Sequence, residues 1–458
     1  MKKTIFIAIT RGSLARNILR SGVLENLLAY DNLKIVVLFN TKIPDYFRKE
    51  FNNPRVTLEE VKNKVNSKFR KIFIVLFNQL VYSESERLML RFGGGNRKHP
   101  SYSNYLAKHI LFSITSRIGF LKYCARWVEQ YLFIEKDYDY LFEKYNPDLV
   151  FCTSLYSRGL DFVLIKAAKR FGVMSVSMPK SWDTIGRLFY SAPSEKLIVN
   201  NALMKENLIK EQSIKEQDIY IVGFPQFDAY VKKSKFLPKD EFCKLTGLDA
   251  AKPILLYASE GVFTYWDDKY IDDFIKNRRI LEKYNLIVRP HFSDVQKGRY
   301  AYFKKYNGLY VDDEHLNITN MFRDAWDPTH EDIDWLANVL FISDIIITSV
   351  STFVLDAMVF DKPIINICYD VPLPEKSSHI PMTAQYNTTH FQGIMKRKPM
   401  ILVKSAVELM EGIKRYTENP KLLSAERKKT LEDICYKMDG RAAERIASTL
   451  LYLLYDKR

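Results

Sequence analysis

Cysteine is scarce and scattered: Cys124, Cys152, Cys243, Cys368 and Cys435 are the only five among 458 residues, and no two form a Cys-x-x-Cys pair. That spacing argues against a disulfide-stapled secreted scaffold and a structural zinc site, and it suits a reducing cytoplasm. Long apolar runs are missing too. The segment "IFIVLFNQLVY" at 72–82 is well short of the ~18 residues that a membrane span needs, and it carries Asn78 and Gln79. The opening "MKKTIFIAITRGSLARN" has the two lysines of a signal peptide, but its apolar stretch ends at Arg11, so it reads as a first buried strand. No low-complexity tract or short-period repeat interrupts the chain, and there is no zinc-finger spacing, RNA-recognition signature or basic tract interleaved with aromatics. The two Asp-x-Asp triplets, Asp137/Asp139 and Asp332/Asp334, fall in helical patterns that splay their carboxylates apart. Neither a specific nucleic-acid partner nor a bound divalent metal is expected.

What the chain does have is a core and an excess of positive charge. Hydrophobic residues make up 47% and charged residues 27%, the balance of a globular protein, and the length suits two domains of about 200 residues each. The net charge of +15 is uneven: between Val61 and Arg126, thirteen Lys or Arg face only Glu84 and Glu86. Such a basic region fits a polyanion, an anionic membrane surface or an anionic lipid-linked substrate.

The hydrophobic pattern predicts an α/β chain. "TIFIAIT", a loop and helix over "RGSLARNILRSGVLENLLAY", and "LKIVVLFN" make a βαβ unit, hence a parallel sheet. Residues 58–145 then read as long helices broken by a flexible-looking loop at 93–100. In the second helical pattern Ile110, Ile114, Ile118, Leu121, Ala125, Val128 and Leu132 mark a core-facing stripe, with Lys108, Arg117, Lys122 and Arg126 off it. That off-stripe face is either solvated or lies against membrane phosphates. Alternation resumes at "NPDLVFCTS" and runs to Pro225. The lysine-rich "QFDAYVKKSKFLPKDEF" reads as a linker, and a second alternating unit begins at "PILLYAS", with a long helix around 267–284. The expected domains are 1–228, with a basic helical insertion at about 58–145, then 229–430, and a closing helix in 431–458 that crosses back to the first domain.

Chemistry is expected at the carboxyl ends of the strands, where parallel sheets bind ligands. The strand "DIIIT" runs into a turn from Ser349 to Thr352 and then a helix. Ser349, Ser351 and Thr352 there can hold a phosphate with unpaired backbone N–H groups and hydroxyls. Asp356, four residues after Thr352, lies about 5–6 Å further along the same face, at the spacing for ribose hydroxyls. The alternative is a plain helix cap with Asp356 complementing the dipole. "RPH" at 289–291 ends another strand, so Arg289 and His291 can neutralise a departing diphosphate. Glu260, in "SEGVF", either contacts the sugar or is idle in a loop. "KSWDTIGR" at 180–187 faces the cleft from the first domain, with Trp182 to stack and Asp183 either to deprotonate an acceptor hydroxyl or to close a turn.

"VGFPQFD" (222–228), "RPH" (289–291), "DIIITSVSTFVLDAMVFDKPIINI" (344–367) and "DGRAAERIA" (439–447), in that order, resemble the nucleotide-binding half of GT-B-fold glycosyltransferases. The same layout occurs in non-hydrolysing UDP-N-acetylglucosamine 2-epimerases and CDP-glycerol glycerophosphotransferases, and "SWD" resembles bacterial surface-polysaccharide glycosyltransferases. The resemblance implies two Rossmann-like domains facing a cleft, with Ser351, Thr352, Arg289 and His291 on the nucleotide diphosphate and Asp356 on the ribose. The epimerases carry Gly-Gly where this chain has Ser351-Thr352, and Arg-Pro-Glu where it has "TRGSLARN", which disfavours epimerisation. The expected activity is metal-independent glycosyl transfer from a nucleotide-sugar donor to a glycan or lipid-diphosphate-linked acceptor in surface-polysaccharide synthesis. It needs no cofactor beyond that donor and runs in the cytoplasm at the inner membrane face. The alternatives are a nucleotide-sugar 2-epimerase or a CDP-glycerol-type polyol-phosphate transferase and, from another class, a non-catalytic nucleotide-sugar-binding scaffold or a nucleic-acid-binding protein.

Overall fold

A computed structural model describes residues 2–62, 68–93, 101–155, 159–261, 266–295, 298–371 and 380–455. Two all-parallel sheets organise them. β1 (Lys3–Ile9), β2 (Leu33–Phe39), β3 (Val56–Glu60), β4 (Leu149–Cys152), β5 (Met174–Ser177), β6 (Lys196–Val199) and β7 (Ile219–Ile221) lie in the order β3-β2-β1-β4-β5-β6-β7. β8 (Ile254–Ala258), β9 (Asn285–Arg289), β10 (Leu309–Val311), β11 (Ile345–Thr348), β12 (Ile364–Ile367) and β13 (Ile401–Val403) follow in the order β10-β9-β8-β11-β12-β13. Ile5 to Ile9 and Ile254 to Tyr257 are buried from both faces, which is why these strands read as unbroken apolar runs. Strand order reverses beside β1 and again beside β8, and in such sheets the crevice at the reversal is where ligands bind. This is the expected doubly wound α/β architecture.

The closing helix, Ala442–Tyr455, leaves the second sheet and packs on the first domain. Its Ala443, Ile446, Ala447 and Leu450 share one core with Ile5, Ile7, Ile35 and Val37. Its first backbone N–H groups, at Ala442 and Ala443, donate to Asp228 at 3.1 and 2.8 Å. Arg20 adds an ion pair across the domains to Asp327 at 2.5 Å, both groups buried.

Several expectations need correcting. The helical stretch does not begin at 58: β3 occupies Val56–Glu60 at the sheet edge. Among the described residues, five helices then lie before β4: Lys68–Asn78, Glu84–Phe92, Tyr102–Thr115, Gly119–Tyr131 and Asp139–Tyr145. The loop expected at 93–100 lies outside the described residues apart from Gly93. The presumed linker is mostly helix, Pro225–Lys232 and Lys239–Thr246, because Phe227 and Tyr230 at helical spacing bury themselves despite the surrounding lysines. The long helix near 267–284 is Asp267–Lys276 followed by one 3-10 turn, Ile280–Glu282.

The largest correction concerns the apolar stripe. Ile110, Ile114, Ile118 and Leu132 face outward, Ile114 at 57% exposure, whereas the supposedly solvated Lys122 is 3% exposed. Lys122 Nζ donates to the Glu211 carbonyl at 2.8 Å, and Arg126 Nε to the Tyr190 carbonyl at 3.2 Å. Arg126 also reaches the carbonyl of Gln212, at the end of helix Ala202–Gln212. The last carbonyls of a helix have no partners within it and carry its negative dipole end, so they draw these two cations inward. A buried ionic cluster fixes the same helices to the domain, with Arg70 between Glu129 (3.1 Å) and Glu135 (2.7 Å) and Lys166 on Glu129 (2.9 Å). Among the described residues no helix is long and apolar enough to cross a membrane.

Candidate active site

The carboxyl ends of both sheets open onto one cleft of about 400 Å³. Asp183, Glu260, Arg289, His291, Ser351, Thr352 and Asp356 all line it. Ser349 stands behind them, its hydroxyl on Glu260 and its carbonyl accepting from Asn366 Nδ2 at 2.6 Å. Among the described residues no cluster of His, Cys, Asp or Glu could hold a metal ion.

At one end of the cleft β11 delivers its chain into helix Phe353–Val359. Ser351 Oγ accepts the Phe353 N–H at 3.3 Å, while Thr352 makes no side-chain cap and is exposed to the cleft. Asp356 accepts a hydrogen bond from Tyr230 Oη at 3.0 Å. Burial pushes its carboxyl up to about 6, against the pull of Arg16, Tyr230 and Arg289. Arg16 comes from the π-helical segment Ala15–Leu19 that follows β1, lies 5.1 Å from the Trp326 ring centroid and gives Nε to Asn17 at 2.9 Å. Arg289 is steered by the Asp312 carboxylate, whose other oxygen takes the Trp335 indole N–H at 2.9 Å. Two guanidiniums, one from each domain, thus converge on a half-buried carboxyl beside two hydroxyls.

The centre of the cleft is built on Ser259. Its hydroxyl oxygen accepts the backbone N–H of His291 (3.1 Å) and of Gly261 (3.3 Å), tying the end of β8 to the end of β9. Gly261 has φ +67°, and a Cβ there would stand 2.5 Å from His291 Nδ1, so only glycine lets the imidazole seat. Ser293 donates its backbone N–H to His291 Nδ1 at 3.2 Å, so in the neutral ring Nε2 carries the proton. Burial and the Lys180 ammonium pull that imidazole down to about 4, keeping it neutral. Glu260 is pushed the other way, to about 8, by burial and by Asp267, and so stays protonated at neutral pH.

At the far end Asp183 pairs with Arg187 at 3.3 Å. Burial opposes its ionisation, yet Arg187, His390, the Ser181 hydroxyl and Lys180 together hold the carboxyl down at about 2. A carboxylate so acidic accepts a proton poorly. His390, against Trp182 with ring centroids 5.3 Å apart, is held neutral at about 4 by burial, despite Asp183 nearby. This end adjoins the helical region: Ser83 Oγ donates to the Gly186 carbonyl at 2.6 Å, and the Thr389 N–H donates to Ser85 Oγ at 3.1 Å.

Sequence reasoning missed Arg16, Tyr230 and His390. Arg16 follows the carboxyl end of β1, the same rule that singled out "RPH". Tyr230 hid in a segment read as linker. His390 had no local signal, since only the tertiary fold brings it beside Trp182.

Two parallel α/β domains facing a cleft define a GT-B fold. Residues 166–452 match the family model CDP-Glycerol:Poly(glycerophosphate) glycerophosphotransferase, and the chain belongs to that family of transferases. The fold is similar to S. aureus MnaA solved with UDP (TM-score 0.53, 12% identity, 99% of this chain and 97% of that one). It is also similar to a glycosyltransferase from Rickettsia africae (0.51, 14%, 98% and 99%) and to the wall teichoic acid polymerase TagF solved with CDPG (0.50, 11%, 99% and 88%). No curated protein sequence matches. The family match makes the chain a nucleotide-linked transferase.

Proposed function

We propose that this protein transfers a polyol phosphate from a CDP-linked donor to a hydroxyl of a glycan or lipid-linked acceptor. The observation that carries the reading is the extent of the family match: residues 166–452 include Asp183, Glu260, Arg289, His291, Ser351, Thr352 and Asp356, and leave out most of the first domain. The donor's ribose is assigned to Asp356 and its diphosphate to Ser351, Thr352, Arg16 and Arg289. The acceptor oxygen attacks the distal phosphorus, a new P–O bond forms, the bridging P–O bond breaks, and CMP leaves with its electron pair. His291 Nε2–H and the Lys180 ammonium face the charge that develops there, in a site sheltered from water.

The helices of 68–134 are assigned to the surface of an anionic bilayer at the cytoplasmic face. Ile72, Leu106, Ile114, Phe120, Trp127 and Leu132 are exposed there, with Lys71, Arg91, Lys108 and Arg117 exposed on the same helices and the turn between them. An apolar face bordered by cations is the make-up of an interfacial helix. It replaces the expected basic face, and Ser83 and Ser85 link it to the acceptor end of the cleft.

Phosphate and glycosyl transfer leave different products. Incubating the protein with CDP-glycerol and with UDP-N-acetylglucosamine, each with phosphatidylglycerol vesicles as a hydroxyl source, is expected to release CMP from the first. UDP released from the second, with none of the CMP, would replace this reading with glycosyl transfer.

A further inference from the structure

Three polar atoms at the acceptor end of the cleft have no hydrogen-bond partner among the described residues: Trp182 Nε1, Thr388 Oγ1 and His390 Nδ1. All three residues line the cleft, and Trp182 and His390 are 4% and 7% exposed. Proteins rarely bury a donor or acceptor without a partner, and unmet groups gathered at one wall of a cleft are what a substrate would satisfy. They also come from different parts of the chain, Trp182 from the loop after β5 and Thr388 with His390 from the second domain. Thr389 bridges the seam to Ser85, and within the first domain the Gly186 carbonyl takes Ser83.

An attacking hydroxyl must lose its proton, and the other candidates for taking it are engaged. Asp183 is tied to Arg187, Glu260 holds its own proton beside Asp267, and His291 has Nδ1 occupied by Ser293 and turns out a donor. His390 is left, a neutral imidazole fixed edge-on by Trp182, whose cationic form burial and Arg187 oppose and the Asp183 carboxylate favours.

We propose that His390 is the proton acceptor of the reaction, and that with Trp182 and Thr388 it forms the subsite for the acceptor's hydroxyl. As the acceptor oxygen bonds to phosphorus, its proton passes to the imidazole of His390. The leaving CMP takes the electrons of the broken bridging bond, and the imidazolium later returns its proton to solvent. The proposal rests on the transferase reading above but not on the donor's identity, because the hydroxyl gives up a proton in phosphate and glycosyl transfer alike.

The test compares wild type with His390→Ala, using CDP-glycerol and phosphatidylglycerol vesicles and following CMP release. Turnover is expected to fall by roughly 10²- to 10⁴-fold, the usual share of a general base. CDP affinity by calorimetry should stay within twofold of wild type, and added imidazole should restore at least tenfold of the loss. Turnover within threefold of wild type overturns the proposal. So does a loss that imidazole does not relieve, or one that travels with lost CDP affinity, since either makes His390 a packing residue. If wild type instead releases UDP from UDP-N-acetylglucosamine, the polyol-phosphate reading fails and the same comparison on that donor decides His390. A readout without turnover accompanies both. In CDP-loaded protein carrying labelled histidine, the imidazole resonance absent from His390→Ala should shift on adding phosphatidylglycerol vesicles, and a stationary resonance overturns the subsite.

Discussion

Two amphipathic stretches of this chain meet different fates. Helix Phe353–Val359 packs Val354, Leu355, Ala357 and Met358 into the core and leaves Asp356 at the cleft, as its pattern suggests. The pair Tyr102–Thr115 and Gly119–Tyr131 follows its pattern only in part: Ala125 is buried and Lys108 and Arg117 are exposed, but Ile114, Phe120 and Trp127 turn outward and Lys122 and Arg126 are drawn in. Periodicity defines two faces of a helix but does not say what covers either one. In the first case a flanking sheet needs an apolar cover. In the second the nearest neighbour offers orphan carbonyls at the end of helix Ala202–Gln212, and a carbonyl prefers a cation to an isoleucine.

Reversing the charge of an inward cation breaks this comparison most severely. Lys122→Glu places a carboxylate against the Glu211 carbonyl, and an uncompensated buried charge costs about 3–5 kcal/mol. Urea denaturation should show a loss of that size. A change within about 0.5 kcal/mol, the usual effect at a solvated site, would return Lys122 to the surface. On the other stretch, Asp356→Ala removes the carboxyl assigned to the ribose. Losing hydrogen bonds to a charged group costs about 1.5–3 kcal/mol, so CDP should bind roughly 10- to 100-fold more weakly by calorimetry. Unchanged affinity would remove Asp356 from the site.

Most of the fold and one wall of the cleft were legible in the sequence, because both follow from local rules. A strand buried on two faces announces itself as an apolar run, and a polar turn at its carboxyl end marks the ligand edge. "RPH" and the Ser351-Thr352 turn were found this way, and Arg16 was legible by the same rule but was passed over as a departure from a motif. Tyr230 was lost because lysines outnumber the two aromatics that bury its helix. The partial inversion at 102–132 and the place of His390 were not legible at all. Each depends on what a distant segment presents: the carbonyls of Glu211 and Gln212 in one case, Trp182 in the other.

The outward face of the helix pair can be weakened without touching the cleft. Phe120→Ser together with Trp127→Ser removes two exposed aromatics, 71% and 51% accessible, from the face assigned to the bilayer. Binding to phosphatidylglycerol vesicles in a flotation assay should fall about tenfold, a conservative fraction of the transfer energy of two aromatic side chains. The melting temperature should hold, since neither ring is part of the core. Undiminished vesicle binding would leave that face without its assigned partner.

The smallest effect concerns the charge at the centre of the cleft. Burial raises the Glu260 carboxyl to about 8, above its unfolded value, so the folded protein holds more protons than the unfolded chain between roughly pH 4.5 and 8. Stability therefore declines as pH rises through that window, and Glu260→Gln should flatten the decline. Donor binding should follow the same sign. Above pH 8 an ionised Glu260 shares the cleft with the residues assigned to the donor's diphosphate, and a like charge in this partly screened site costs on the order of 1 kcal/mol. CDP affinity in wild type should drop about fivefold between pH 7 and 9, while in Glu260→Gln it stays level. The same drop in Glu260→Gln would assign the titration to another group, and with it the reason for keeping a neutral acid between Ser349 and the donor.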